Sequence, residues 1–327
     1  FKDNRMLDFC TPIVFGSKKV VSIHRKAIGI QDFSFNMITK ISDLNLKRAN
    51  LLNLWSENID VKFGKATTIS GKFAFDSLKK ASEALKNKEI DVLVTAPINK
   101  SSIQKKINSF IGHTEFLQGN FEGNSLMIMV SEIMRIAFIT GHIPLSEVKK
   151  SITKENIINK TKLLNASLIK DFGIRKPKIA ILGLNPHAGE DGLLGNEENE
   201  NIIPAIKKLK EEEILAFGPY PADSFFNNKN LEQFDGILSM YHDQGLTAFK
   251  TLSFREGVNY TAGLDIIRTS PVHGTAYDIA GKGLADEQSF REAVYLACDI
   301  FKKRLQFKEI HSNPLEYKVR KQTKNTK

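Results

Sequence analysis

The chain has 327 residues, 41% of them apolar and 26% charged, a balance that suits a globular protein with a sizeable core and excludes a disordered or collagen-like chain. No apolar run approaches the roughly 20 residues that cross a bilayer, and the opening FKDNRMLDFC is too charged for a secretory leader. The net charge of +10 lies mostly on helix faces (Lys207, Lys208, Lys210) and in the tail 318-KVRKQTKNTK-327, where a solvated face and a frayed tail account for most of it and attraction of a small anion for the rest; no aromatic-interleaved basic patch supports nucleic-acid binding.

In chain order, the charged opening reads as helix-like and leads into a strand, 11-TPIVF-15. Cys10, just before it, and Cys298 have neither metal nor redox spacing, which predicts reduced thiols in a cytoplasmic protein. The stretch 71-GKFAFDSLKKASEALKN-87 places Ala74, Leu78, Ala81 and Leu85 on one helical face. Strands follow at 90-IDVLVTA-96 and 135-RIAFIT-140. In 153-TKENIINKTKLLNASLIKDFG-173, Ile157, Leu164 and Leu168 form a helical stripe that Thr153 caps and Gly173 ends. Two more strands, 178-KIAILGL-184 and 235-DGILSMY-241, precede a helix near 286–306 with Phe290, Val294, Ala297, Phe301 and Leu305 at helical spacing. Strands apolar on both faces, alternating with amphipathic helices, predict an α/β fold with parallel strands under helical cover. With no repeat and no low-complexity linker, any two domains are interleaved.

Ligands of open parallel sheets bind beyond the carboxyl ends of the strands. Those ends read 95-TAPINK-100, 141-GHIPL-145, 185-NPHAGE-190 and 241-YHDQG-245, and three of them present a histidine. A lone histidine there is a turn or core residue; three at equivalent strand ends predict a divalent-metal site with an open position, formed by His142, His187 and His242. Asp243 and Asp223, the latter in 221-PADSFF-226, are placed to orient ligands or act as bases. Lys250, Asn259 and Arg268 are spaced through 249-FKTLSFREGVNYTAGLDIIRTS-270 and suit a phosphate or carboxylate, and Asn259 and Arg268 are embedded in largely apolar or uncharged sequence. In 112-GHTEF-116, His113 and Thr114 follow a glycine and can donate to a small polar substrate. The segment 273-HGTAYDIAGKGLAD-286 has glycines enough to wrap a nucleotide but is not G-x-G-x-x-G, and there is no Walker A sequence. The residues alone indicate a metal-assisted enzyme acting on a small anionic substrate.

Taken in order, GHTEF, GHIPL, GLNPHAGE, PADSFF, YHDQGL, GVNYTAGLDIIRTS and HGTAYDIAGKG resemble the 4-hydroxythreonine-4-phosphate dehydrogenase family of vitamin B6 biosynthesis, from about residue 90 to 290. The resemblance implies an isocitrate/isopropylmalate dehydrogenase-like α/β fold: two interleaved α/β/α domains with mostly parallel sheets, drawn here as 1–110 plus 272–327 and 111–271, with 318–327 as a disordered basic tail. It implies NAD or NADP as cofactor, held without the Rossmann fingerprint, and a divalent metal (Zn, Mg or Co) on His142, His187 and His242. It implies substrate contacts at His113, Thr114, Lys250, Asn259 and Arg268, and a cytoplasmic homodimer with an active site shared across subunits. The implied reaction oxidises 4-phosphooxy-L-threonine at C3, and loss of CO₂ then gives 3-amino-2-oxopropyl phosphate for pyridoxal 5'-phosphate. Dehydrogenation of a related phosphorylated sugar acid, 4-phosphothreonate or 4-phosphoerythronate, is the alternative. Asp243, Asp223 and Lys100 are candidate bases for the hydroxyl proton. The family opens with a strand and a glycine-rich turn; this chain begins at Phe1 with FKDNRMLDFC, and is read as lacking both.

Overall fold

The structure is a computed structural model and describes residues 1–57 and 59–315; the basic tail 318–327 lies outside the described residues. Its strands are β1 (Ile13–Gly16), β2 (Asn36–Ile38), β3 (Asn50–Asn53), β4 (Leu93–Val94), β5 (Gly123–Val130), β6 (Arg135–Phe138), β7 (Lys178–Leu182), β8 (Leu215–Tyr220), β9 (Gly236–Ser239), β10 (Val258–Leu264) and β11 (Arg268–Pro271). They form a small sheet of order β1-β3-β2 and an eight-stranded sheet of order β4-β11-β10-β5-β6-β9-β7-β8. The small sheet is all parallel. In the large one β6, β9, β7 and β8 run parallel to one another, β4 runs parallel to β11, and the β5, β10 and β11 pairings are antiparallel.

The predicted helices are present. Thr67 caps the helix Thr68–Lys86 in a capping box with Ser70. Thr153 accepts from the Asn156 amide to start Lys154–Lys170, and Gly173 turns the chain away at φ 72°. The last helix, Gln288–Ile310, is longer than its periodic stripe. The opening segment is a 3-10 turn, Asn4–Asp8. On one face of the large sheet, Ile128, Ala137 and Ile181 meet Leu164, Leu168, Leu209 and Ala297 of the covering helices. On the other face, Ile136, Phe138 and Ala180 meet Phe225 and Phe249. The result is a helix–sheet–helix sandwich. Among the described residues no helix is long and apolar enough to cross a membrane.

One sequence expectation changes. The four strand ends were placed at one edge of a parallel sheet, but the antiparallel steps at β5, β10 and β11 reverse β4 relative to β6, β9 and β7. The two cysteines, Cys10 and Cys298 on the last helix, share a cluster with Met6 and Val294 and stay free thiols, as their spacing predicts; the Cys10 thiol donates to the Met6 carbonyl.

Candidate functional site

β6, β9 and β7 are neighbours and run the same way, so the loops behind them leave one edge side by side. His142 lies beyond β6, and His242 opens the helix His242–Ser253 beyond β9. Their rings are 5.2 Å apart, centroid to centroid, and Phe138 backs His242 at 5.8 Å. The Nδ1 of His242 is 2.7 Å from the Asp243 carboxylate. A carboxylate only accepts, so Nδ1–H is the donor in this bond. Burial pushes the His142 pKa below its ordinary value, and the charges of Lys100 and His242 add to the effect. A neutral imidazole beside a carboxylate-oriented one is the donor chemistry of a divalent-metal site. Among the described residues no three His, Cys, Asp or Glu side chains converge in metal-binding geometry. His187 is carried on the neighbouring turn Pro186–Gly192, against which the short helix of Asp223, Ala222–Phe225, is packed.

Close by is a positive group. Ile128 pairs with Ala137, so Thr261, opposite Met127, lies level with the end of β6; Arg268 opens β11 directly opposite Thr261. Arg268 is 3% exposed. Its guanidinium donates to Thr95 Oγ1 (3.0 and 2.6 Å) and Thr261 Oγ1 (3.2 Å), and among the described residues it forms no ion pair. Burial lowers its pKa to about 10, against a small opposing pull from Glu115. His113 starts the helix His113–Gln118. Burial, then the charges of Arg268 and Lys100, press its pKa down to about 3, so it is neutral at pH 7. Lys100 and Glu115 flank Gly112, where a Cβ would stand 3.3 Å from Lys100 Nζ and 2.6 Å from Glu115 Oε2. Lys100, close to Gly112, thus stands beside the start of the His113 helix although β4 runs the opposite way, and its charge acts on both His113 and His142. Thr114 and Lys250 are half-buried. Asn259 lies on β10 two residues before Thr261, hence on the same face, and its buried Oδ1 has no hydrogen-bond partner.

The sequence reading passed over Glu115, Thr95 and Thr261, although each lies inside a stretch it singled out; a neutral threonine gives no sign that it partners a buried arginine. It also left Gln244 of YHDQG without a role. Gln244 Oε1 accepts from the Met240 amide at 2.7 Å and Nε2 donates to the Gly183 carbonyl at 2.7 Å, tying the end of β9 to the end of β7. The segment 273–286 is irregular apart from a turn at Tyr277–Ile279. A Cβ on Gly281 would strike the Phe63 ring at 2.9 Å, so this glycine serves the chain's own packing, and the structure assigns no residue to a nucleotide.

Comparison with known proteins gives the same direction. The family model described as pyridoxal phosphate biosynthetic protein PdxA matches residues 8–297. A 4-hydroxythreonine-4-phosphate dehydrogenase of Bacteroides thetaiotaomicron is 50% identical over 317 residues, covering 96% of this chain and 87% of its own length. A protein of Oceanobacillus iheyensis, provisionally named D-threonate 4-phosphate dehydrogenase, is 38% identical over 91% of both chains. The crystal structure of a 4-hydroxythreonine-4-phosphate dehydrogenase from Burkholderia phymatum superposes with a TM-score of 0.74 at 35% identity, over 91% of each chain. The chain belongs to the pyridoxal phosphate biosynthetic protein PdxA family.

Proposed function

We propose that this chain is an oxidoreductase that oxidises 4-phosphooxy-L-threonine at C3 with NAD or NADP, after which loss of CO₂ leaves 3-amino-2-oxopropyl phosphate for pyridoxal 5'-phosphate synthesis. The observation that carries the reading is Arg268. A buried guanidinium held only by two threonine hydroxyls is costly unless an anion joins it, and a phosphate matches its planar fork. Lys250 adds a second cation, and the vacant Oδ1 of Asn259 accepts from a substrate ammonium or hydroxyl. His113, neutral, and Thr114 complete the polar contacts. The group draws on both proposed halves of the chain, with Lys100 from 1–110 and His113, His142 and His242 from 111–271.

His142, His187 and His242 would hold a divalent ion (Zn, Mg or Co), whose chemistry when bound is Lewis-acid polarisation of the C3 hydroxyl. The chain's own residues fix the rest. Arg268 and Lys250 anchor the substrate's anionic end, so that C3 is presented to the histidine edge in one orientation. Asp243, engaged with His242 Nδ1, orients that ring; the acceptor of the hydroxyl proton is then Asp223, or Lys100 once it has given up its own proton. A second copy of the chain completes the site in this reading. The loops of His142 and His187 expose Ile143 (40%), Leu145 (73%), Leu193 (78%) and Leu194 (42%), apolar groups that suit a covered surface. The two free thiols fit a reducing, cytoplasmic setting.

The Oceanobacillus relative supports a second reading, in which the substrate is a phosphorylated sugar acid such as 4-phosphothreonate. Both substrates have the phosphate and the secondary hydroxyl and differ in the amino group. The test is NADH or NADPH formation with 4-phosphooxy-L-threonine and 4-phosphothreonate side by side, with and without a chelator. The first reading expects turnover of the amino-acid phosphate that chelation abolishes and added Zn²⁺, Mg²⁺ or Co²⁺ restores. Preference for phosphothreonate transfers the assignment to the second reading, and turnover indifferent to chelation removes the metal.

A further inference from the structure

The turn that carries His187 is wound the wrong way round. His187, Ala188, Gly189, Glu190 and Asp191 have φ of 52°, 52°, 84°, 41° and 53°, five successive left-handed residues of which only one is glycine. Left-handed backbone crowds the Cβ of each non-glycine residue against its own carbonyl and is costly there. Strain of this kind persists only where the surroundings over-determine it. The bonds inside the turn, Ala188 to Asn185 and Leu193 to Glu190, close it locally but do not attach it to the body of the protein.

The attachment comes from Glu198, the first residue of a π-helical turn, Glu198–Ile202. Glu198 is 2% exposed. Its Oε1 accepts from the backbone amides of Leu184 (2.7 Å) and Asn185 (2.8 Å), and its Oε2 accepts from the Asn185 side chain (2.8 Å). Glu197 accepts from the same Asn185 amide group at 2.7 Å and is itself held by Lys149. The glycines are cut to this carboxylate. A Cβ on Gly189 would stand 2.7 Å from Glu198 Oε2, and one on Gly183 would stand 3.2 Å from Oε1 and 2.9 Å from the Ala188 Cα. Glu198 therefore lies inside the loop and clasps the two residues just before Pro186 and His187. Among the described residues it forms no ion pair; it spends a buried charge on N–H donors alone, which makes its contribution geometric.

We propose that Glu198, seconded by Glu197, is the positioning residue for His187, holding the left-handed turn so that the imidazole reaches the metal. The inference rests on His187 being a metal ligand, and the experiment separates the two claims. Co²⁺ binding by the intact protein is followed by visible absorption for the parent, His187→Ala, Glu198→Asp, Glu198→Gln and Glu198→Ala, with the urea midpoint of each. His187→Ala must weaken Co²⁺ binding; if it does not, the metal reading falls and the inference falls with it. Glu198→Asp draws the carboxylate back by one methylene and is expected to lower Co²⁺ affinity by about ten- to a hundredfold, the range for residues that orient metal ligands. Glu198→Gln keeps the reach and an oxygen for the two backbone amides, losing only the Asn185 side-chain bond, so it retains more Co²⁺ affinity than Glu198→Asp. A merely structural glutamate would lower the urea midpoint and leave Co²⁺ affinity in the folded protein unchanged. Parent-like affinity in Glu198→Asp, alongside a weakened His187→Ala, overturns the inference while leaving the metal site standing. Glu198→Ala adds to the Asp result where it folds, and the Asp result decides where it does not.

Discussion

Two arginines, Arg268 buried and Arg304 half-buried, sit at either side of the β10–β11 connection and are treated in opposite ways. Arg304, on the last helix, donates to Asp171 Oδ1 at 2.7 Å, to the carbonyls of Asp265, Ile266 and Leu264, and to Tyr260 Oη. Asp171 is filled in turn by Ser167 and Tyr260, each at 2.7 Å. Burial pulls the Arg304 pKa down, but Tyr260 and Asp171 overcome it and leave the group raised. Arg268, a few residues along, has two threonine hydroxyls and no carboxylate, and burial leaves it lowered. A charge with every donor matched by the protein serves the fold. One with its charge unmatched is, in the proposed function, arranged for an anion that arrives from outside.

The sharpest way to break this contrast is to remove each side chain. Arg304→Ala strands Asp171 in the core, and breaking a buried pair in this way is expected to destabilise by ~3–5 kcal/mol, read as a lower urea midpoint. Arg268→Met, by contrast, removes a buried charge the free protein does not balance. Its urea midpoint should be unchanged or raised, while transition-state binding of the phosphorylated substrate weakens by roughly 2–5 kcal/mol, read as kcat/KM. A large stability loss in Arg268→Met would mean that the two arginines do the same job. The smallest effect concerns His113. Its folded pKa of about 3 lies below the ordinary value, so between those two values the unfolded chain binds a proton that the folded chain refuses. Stability from this group is therefore whole above a pH of about 6.5 and drains away as the pH falls toward 3. His113→Gln cannot titrate, and its urea midpoint should drop less than the parent's between pH 7 and pH 5.

The contrast also shows why some of the molecule was legible and some was not. β6, β7 and β9 are apolar runs that stop at a polar loop, so both the strands and their histidines could be read directly. β10 and β11 escaped notice because the buried strands carry Asn259, Thr261, Arg268 and Thr269, which the fold accommodates through bonds such as Thr269 Oγ1 to the Ala293 carbonyl. A reader of hydropathy sees a cluster of polar residues there, not two strands, and so misses the reversal that turns β4 around. β3 hides for the same reason. Its first residue, Asn50, is fully buried and bonds through its amide to Asn36, Asn45 and Arg48. The site residues His113, His142, His242, Asn259 and Arg268 were visible as types. Their grouping was not, because Thr95 and Arg268 are separated by 173 positions and meet only through the sheet. The left-handed turn at 187–191 left only its glycines as a trace.

The Gln244 bridge has a consequence of its own. It joins the ends of two neighbouring strands with one acceptor and one donor, a polarity that an amide offers and an ionised acid does not, since a carboxylate would face the Gly183 carbonyl with oxygen against oxygen. An amide also neither gains nor loses a proton in water at ordinary acidity. The spacing between the loop of His187 and the helix of His242 is thus set by a crossbar indifferent to pH, and it keeps its width while the charges around it change.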